Sequence, residues 1–387
     1  DKSDLRFVFT PNPFMEPLRR NYVHWFLLGS YLLSLLPSIA PSQQDVVRGR
    51  PVLFIFGDSI LDTGNNNYIV TTPLNQANFK PYGETYFGFP TGRASDGRLM
   101  SDFIAELANL PIALPYLQPG FDQYQNGVNF ASAGAGALVE TFEGTAIDLK
   151  MQLRNFKKAR NHLAKVMGRD TARSITSSAV FLISIGANDY LSQFLTNPVM
   201  LKSLGPSEYV GVVIGNITQG IRELYMAGGR NFAIMNVPLL GCLPGMRLLN
   251  FNRNHSGCLE EATLLGSLHN KVLFGSLLNL EKELKGFRYA LPDLNTYLRD
   301  RVKDPRKYGF KSGTSACCGS GKFRGEFSCG GKRFTPEFEL CRNPNEYIFW
   351  DSYHPTEETY KQIAYKLWQE PARPRITGPQ SLKQLFH

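Results

Sequence analysis

Four apolar runs constrain the fold of this chain more than any other feature of its sequence. Each run is four to seven residues long and is followed by a glycine, a proline or an aspartate; the runs are 52–56, 179–185, 232–237 and 347–350. Short apolar runs bounded by such residues are typical of strands buried on both faces of a sheet. We therefore expect these four segments to be strands in the interior of the protein.

Helical patterns lie between and after these runs. Apolar residues recur every three or four positions over 99–107, 210–224 and 273–284, as expected of helices with one buried face. Strands that alternate with helices predict an α/β fold with a mostly parallel sheet between two helical layers. Functional residues then gather just beyond the carboxyl ends of the strands.

Length and composition fit one globular domain. The chain has 387 residues, of which 43% are hydrophobic and 19% charged, which suits a large buried core. We expect a single domain over 43–387, and we see no repeat and no apolar stretch in that range long enough to span a membrane. The net charge of +9 indicates a solvated basic surface. Because the cations are scattered along the sequence, we expect no nucleic-acid partner.

The N-terminal region has the pattern of an export signal. From Met15 a short charged segment is followed by an interrupted apolar run and then by small residues near 40–42. This order predicts a secretory signal peptide over 15–42, preceded by an extension of uncertain origin at 1–14. The protein is then secreted, to the extracellular space or the cell wall. The sequons at Asn216 and Asn254 match the acceptor pattern for N-glycosylation.

Cysteine usage agrees with export, because an even number of cysteines permits disulfides. All six lie in the C-terminal half: Cys242, Cys258, Cys317, Cys318, Cys329 and Cys341. A local pair between Cys242 and Cys258 is plausible, and we expect the adjacent Cys317 and Cys318 to have different partners. The sequence does not choose among the other connectivities. No Cys-x-x-Cys pattern occurs, so we expect no zinc site.

A serine and a histidine–aspartate pair follow two of the predicted strands. Ser59 lies on the turn after the run 52–56, and Asp351 and His354 lie three residues apart after the run 347–350. A serine hydroxyl needs an imidazole to take its proton and a carboxylate to orient that imidazole. Of the six histidines, only His354 has a carboxylate at a useful local spacing beside a predicted strand end. Pro355 is then expected at the first position of the following helix.

An ester hydrolase also needs hydrogen-bond donors for the oxyanion that forms during the reaction. The candidates are the amide of Ser59, the amide of Gly134 and the side-chain amide of Asn188, and Gly136 is an alternative to Gly134. Together these residues predict a serine ester hydrolase that requires no metal or organic cofactor.

Several segments, in this order, resemble the plant-type branch of the GDSL lipase and esterase family, also called SGNH hydrolases. They are Phe56-Gly-Asp-Ser-Ile-Leu-Asp-Thr-Gly-Asn-Asn-Asn67, Pro90-Thr-Gly-Arg93, Gly127-Val-Asn-Phe-Ala-Ser-Ala-Gly-Ala-Gly136, Gly186-Ala-Asn-Asp189, Val237-Pro-Leu-Leu-Gly-Cys-Leu-Pro244, Ala316-Cys-Cys318 and Phe349-Trp-Asp-Ser-Tyr-His-Pro355. The resemblance covers nearly all of 51–385. Ile60 stands where the family name expects leucine.

The resemblance implies a three-layer, flavodoxin-like α/β/α fold. It also implies a triad of Ser59, His354 and Asp351, with an oxyanion hole from Ser59, Gly134 and Asn188. The substrates implied are lipid or aromatic acyl esters. Two alternatives stay open: an acyltransferase that uses the same acyl-enzyme, and a catalytically silent extracellular binding protein on the same scaffold. The sequence does not give the oligomeric state.

Overall fold

The structure is a computed structural model that describes residues 51–196, 198–373 and 376–387. The predicted signal peptide over 15–42 and the extension over 1–14 lie outside the described residues. Five parallel strands form the central sheet: β1 (Leu53–Gly57), β2 (Val128–Asn129), β3 (Val180–Ser184), β4 (Asn231–Ile234) and β5 (Arg288–Ala290). Their order is β2-β1-β3-β4-β5, which is the flavodoxin-like arrangement.

Nine helices are described along with this sheet. They are α1 (Met100–Leu107), α2 (Leu149–Met167), α3 (Arg169–Ser178), α4 (Ala187–Leu195), α5 (Val199–Met226), α6 (Pro244–Asn252), α7 (Glu260–Glu283), α8 (Leu294–Lys303) and α9 (Glu357–Gln369). Helix α5 contains a break at Gly205, which precedes Pro206. None of the helices in the described ranges is long and apolar enough to cross a membrane.

The two faces of the sheet bury different side chains, because successive residues of a strand point to opposite faces. On β1, Phe54 and Phe56 pack in one core with helices α2, α5 and α7. Leu53 and Ile55 pack in a second core with α1 and α9. The result is the predicted α/β/α sandwich with a parallel central sheet.

The last predicted strand lies elsewhere than expected. Its residues Tyr347–Phe349 form β9, which pairs in parallel with β6 (Ser312–Ala316) in a separate two-stranded sheet. A third small sheet joins β7 (Cys318–Gly319) and β8 (Glu339–Leu340) in antiparallel fashion. The segment that carries Asp351 and His354 therefore follows a strand of this small sheet and not a strand of the central sheet.

Helix α9 also begins later than expected. Its first residue is Glu357, and the side chain of Thr356 accepts a hydrogen bond from the amide of Thr359 as the N-cap. Thr356 is favoured as the N-cap because its hydroxyl accepts a hydrogen bond from an amide of the first turn that has no partner within the helix. Pro355 thus lies before the helix, and the prediction that it occupies the first helical position is wrong.

Candidate active site

Ser59 lies on the turn that follows β1, at the carboxyl edge of the sheet. The turn starts at Gly57, whose φ of +148° is in the region that favours glycine. A Cβ atom at this position would lie 2.1 Å from the carbonyl oxygen of Ser184 on the neighbouring strand. The close approach of β1 and β3 therefore requires glycine here, and it brings Ser59 to the point where the strand order reverses. Ligands of open α/β sheets bind at this point.

The imidazole of His354 links the hydroxyl of Ser59 to the carboxylate of Asp351. Its Nε2 atom is 2.8 Å from Ser59 Oγ. Its Nδ1 atom is 2.8 Å and 2.9 Å from the two carboxylate oxygens of Asp351. Asp351 is fully buried, His354 is 8% exposed and Ser59 is half-buried, so only the serine end of this chain of contacts opens towards solvent.

The backbone around Asp351 fixes the orientation of its carboxylate. Oδ1 accepts hydrogen bonds from the amides of Tyr353 and His354, both at 2.9 Å. The phenol of Tyr82, which is 269 residues distant in the sequence, donates to Oδ2 at 2.7 Å. Burial alone would raise the pKa of Asp351, but the charge and hydrogen bonds of His354 and the charge of Arg333 outweigh it and hold that pKa below its ordinary value. The carboxylate thus stays ionised although it is buried.

Arg333 lies close to this arrangement on a loop that two disulfides restrain. Its guanidinium stacks 3.8 Å from the centre of the Phe327 ring and donates to the carbonyl oxygens of Cys329 and Gln76 at 2.8 Å and 2.9 Å. The Phe327 ring lies 6.2 Å from the ring of His354. The loop therefore supplies both an aromatic neighbour and a positive charge to the His354–Asp351 pair.

The three disulfides are Cys242–Cys258, Cys317–Cys341 and Cys318–Cys329. The expected local pair is present, and the adjacent cysteines have different partners, as predicted. Two of the disulfides close the segment 317–341, and the amide of Cys318 donates to the carbonyl of Trp350, one residue before Asp351. The disulfides therefore join the Arg333 loop to the segment that carries the histidine.

The three candidate oxyanion donors follow three neighbouring strands of the central sheet, β1, β2 and β3. The amides of Ser59 and Gly134 have no acceptor within the described part of the chain, so they are free to bind an anion. Asn188 follows β3, and its Nδ2 atom donates to the carbonyl of Ala135 at 3.0 Å, which places it beside the Gly134 turn and leaves its second hydrogen free. Gly134 has a φ of +84°, and a Cβ atom there would lie 2.7 Å from Asn75 Oδ1.

The residues 62–66 hold the Gly134 loop against the nucleophile turn. Asp62 Oδ2 accepts from the amide of Ala133 at 2.9 Å, and Asn66 Nδ2 donates to the carbonyl of the same residue at 2.8 Å. Asp189 plays a similar part on the next loop, since it accepts from the amides of Ala137 and Leu138. These buried polar side chains satisfy loop backbone groups that would otherwise lack partners.

Burial alters the ionisation of the carboxyl group next to the serine. Asp58 is buried, and burial raises its pKa to about 7 although the amide of Ile60 donates to its Oδ1 atom. Burial likewise raises the pKa values of Asp62 and Asp189 to about 6. Burial thus favours the neutral form of these three carboxyl groups, whereas the surroundings of Asp351 lower its pKa.

The structure brings together Ser59, Asp351 and His354. Of the oxyanion candidates, it places Asn188 in contact with Ala135, next to Gly134. Sequence reasoning missed Tyr82, Phe327 and Arg333, because contacts across such sequence distances leave no local pattern. No group of histidine, cysteine and acidic residues suited to a metal ion occurs among the described residues.

Comparison with known proteins agrees with this geometry. The model of the family described as GDSL-like Lipase/Acylhydrolase matches residues 53–367. GDSL esterase/lipase 5 of Arabidopsis thaliana is 52% identical over 96% of this chain and 98% of its own length. The GDSL lipase of Tanacetum cinerariifolium is 45% identical over 93% of both chains.

A more distant relative bears a different name. The inactive GDSL esterase/lipase-like protein 25 of Arabidopsis thaliana is 33% identical over 94% of this chain and 79% of its own length. The matches of the family model and of the two nearer relatives both cover most of the chain. The chain therefore belongs to the GDSL-like lipase/acylhydrolase family and is a carboxylic ester hydrolase of the esterase/lipase type.

Proposed function

We propose that this protein hydrolyses esters through a triad of Ser59, His354 and Asp351 and a covalent acyl-enzyme. The observation that carries the proposal is the unbroken contact from Ser59 Oγ to His354 Nε2 and from His354 Nδ1 to the Asp351 carboxylate. The short distances and the ionised carboxylate suit an imidazole that accepts a proton at Nε2 and keeps its proton at Nδ1.

The reaction begins when Ser59 Oγ attacks the ester carbonyl carbon while its proton passes to His354 Nε2. The carbonyl oxygen becomes an oxyanion that accepts hydrogen bonds from the amides of Ser59 and Gly134 and from Asn188 Nδ2. The bond to the alcohol oxygen then breaks, and His354 returns the proton to that oxygen. Water attacks the acyl-enzyme in the same way, with His354 as the base, and the acid leaves.

The substrate class follows from the resemblance in sequence and not from a cavity. We propose lipid or aromatic acyl esters, in line with the lipase names of the relatives. An acyltransferase is the nearest alternative, since a second alcohol in place of water gives a new ester from the same acyl-enzyme. A catalytically silent binding protein is the other alternative. One relative of this chain is named as an inactive GDSL esterase/lipase-like protein.

We further propose that the protein is exported. The predicted signal peptide over 15–42 supports this proposal, and so do the three disulfides, because disulfides form and persist in oxidising compartments. The mature protein is then one domain that starts near residue 43.

The test is hydrolysis of p-nitrophenyl esters of graded chain length by the exported protein. Ser59→Ala is expected to remove activity by a factor of about 10⁴ or more. Ser101→Ala is the matched control, because Ser101 is a buried serine on α1 whose hydroxyl has no partner among the described residues. Equal activity in the native protein and in Ser59→Ala would refute the proposal that Ser59 is the nucleophile of an ester hydrolase. Absence of activity in a correctly folded native protein would refute it as well.

Product analysis separates hydrolysis from acyl transfer. The reaction is repeated with added glycerol or glucose as an alcohol acceptor, and the free acid and the new ester are quantified. Hydrolysis predicts mainly free acid at every acceptor concentration. A new ester as the main product would favour the acyltransferase.

A further inference from the structure

One short segment of the chain contains many more cations than acidic residues. Residues 149–173 contain eight lysine or arginine residues and one acidic residue, Asp170. This segment of 25 residues therefore carries a net charge of +7 out of the +9 of the whole chain. Along the sequence the cations look scattered, but the segment folds into helices α2 and α3, and the helical repeat gathers them.

Five of the cations on α2 lie on one side of the helix. Lys150, Arg154, Lys157, Lys158 and Lys165 are all exposed. A helix turns by about 100° per residue, so these five positions fall within an arc of about 100° and extend over about 22 Å. The opposite side of α2 is buried in the protein core through Leu153, Phe156 and Leu163.

Most of these cations have no ion-pair partner. Lys157 pairs with Glu223 at 2.6 Å, and Arg173 of α3 lies 3.8 Å from Asp170. Lys150, Arg154, Lys158 and Lys165 form no ion pair with any described residue, and the same holds for Arg169 at the start of α3. We call the four unpaired cations of α2 the basic face: Lys150, Arg154, Lys158 and Lys165. Like charges this close repel one another, so a bound polyanion would relieve an unfavourable interaction.

The first turn of α2 lies beside the strand that precedes Ser59, but on the side of the helix opposite to the basic face. The side chain of Gln152, in the first turn of α2, accepts from the amide of Gly57 at 2.9 Å and donates to its carbonyl at 2.8 Å. Gly57 ends β1 and precedes Ser59 by two residues. The basic face therefore points away from β1, and a chain bound along it leaves the serine uncovered.

The chemistry of the surroundings favours one kind of polyanion. The exposed side chains of α2 include no aromatic ring on which the bases of a single-stranded nucleic acid would stack. Its two exposed apolar residues, Met151 and Val166, are 15 positions apart and form no patch for insertion into lipid. A row of cations about 6 Å apart, at positions 150, 154 and 158, suits a linear chain with regularly spaced negative groups.

We infer that the basic face binds a linear carboxylated polysaccharide and so places the enzyme on an acidic polymer. Binding is electrostatic and requires no covalent step. The inference is independent of the proposed triad, because binding is measured without turnover and survives loss of Ser59.

The test compares binding of the full-length protein to polygalacturonate, neutral dextran, vesicles that contain phosphatidylserine, and duplex DNA. One variant removes the face by Lys150→Gln, Arg154→Gln, Lys158→Gln and Lys165→Gln. The control variant removes the same charge from other exposed helix positions by Lys202→Gln, Lys271→Gln, Lys282→Gln and Lys366→Gln. A thermal unfolding midpoint within a few degrees of native shows that both variants are folded.

We expect the native protein to bind polygalacturonate and not dextran, with an affinity that falls steeply as salt rises. The face variant is expected to bind at least about tenfold more weakly, and the control variant within about twofold of native. Equal losses in both variants would overturn the inference, since net charge alone would then explain binding. Absence of binding at low salt, or tighter binding to the vesicles or the DNA than to polygalacturonate, would also overturn it.

Discussion

The phenol of Tyr82 donates a hydrogen bond to Oδ2 of Asp351 at 2.7 Å, inside the protein and 269 residues away in the sequence. Together with the hydrogen bonds from the amides of Tyr353 and His354, this contact holds the Asp351 carboxylate in one orientation. The imidazole of His354 is held in turn, because its Nδ1 atom contacts both carboxylate oxygens.

Tyr82→Phe is therefore expected to lower kcat about tenfold with little change in KM, because a hydrogen bond to a charged group contributes about 1.5 to 3 kcal/mol. The ring and its packing against Trp350 remain. Tyr360→Phe is the matched control, because Tyr360 is equally buried and its hydroxyl has no partner among the described residues. If both variants lose activity equally, or if Tyr82→Phe loses none, Tyr82 does not position Asp351.

Asn188→Asp tests the oxyanion site with almost no change in side-chain shape. A carboxylate cannot donate to an oxyanion, and it also repels the carbonyl of Ala135 that Asn188 now contacts. We expect kcat for a p-nitrophenyl ester to fall by about 10² to 10³. Asn161→Asp on the exposed side of α2 makes the same change of charge and should be close to native. A loss of less than about threefold at Asn188 would exclude it from the oxyanion site.

The stability of the fold should depend on pH through Asp58. Burial raises the pKa of Asp58 to about 7 in the native state, whereas the unfolded value is about 3.9. The native state therefore binds this proton more tightly than the unfolded state does. The stability that proton binding to Asp58 contributes at low pH is lost as the pH rises to about 7.

Asp58→Asn removes this loss, because an amide stays neutral at every pH. The free energy of unfolding of the variant minus that of the native protein should increase by about 2 to 3 kcal/mol between about pH 5 and pH 8, so the variant becomes relatively more stable. Urea unfolding of both proteins at the two pH values measures this change. The comparison cancels the contributions of Asp62, Asp189 and His269, which are present in both proteins. A difference that does not vary with pH would show that Asp58 is ionised throughout.

The two sequons have different structural settings. Asn254 has a φ of +62° in an exposed turn between α6 and α7. Asn216 lies inside α5, where its Nδ2 donates to the carbonyl of Val212 and the next residue, Ile217, is buried. In a eukaryotic secretory host we expect a glycan on Asn254, which Asn254→Gln removes as a mass decrease, and no change for Asn216→Gln. A mass decrease from Asn216→Gln alone would contradict this assignment.

The sequence predicts the elements that long apolar patterns encode. The run before Gly57 is β1, and the run before Gly186 is β3, and both place the expected residues at one edge of the sheet. Strands of two or three residues, such as β2 and β5, carry too few side chains for a pattern. They are stabilised by neighbouring strands, and the sequence alone does not reveal them.

The candidate site was predictable where its chemistry is local. Asp351 and His354 are three residues apart, so their pairing follows from the chain itself. The partners of Asp351 from Tyr82 and the Arg333 loop depend on tertiary packing, and they stay invisible until the fold is known. For the same reason the sequence suggested one disulfide and left the other two open.

Reaction with a fluorophosphonate, followed by peptide mass spectrometry, tests the central claim most directly. The proposed triad predicts one phosphonyl group per molecule, located on Ser59, and a rate that falls by about 10³ or more in His354→Ala. Modification of a different serine, no modification of a folded protein, or an unchanged rate in His354→Ala would contradict the assignment of Ser59 as the nucleophile that His354 activates.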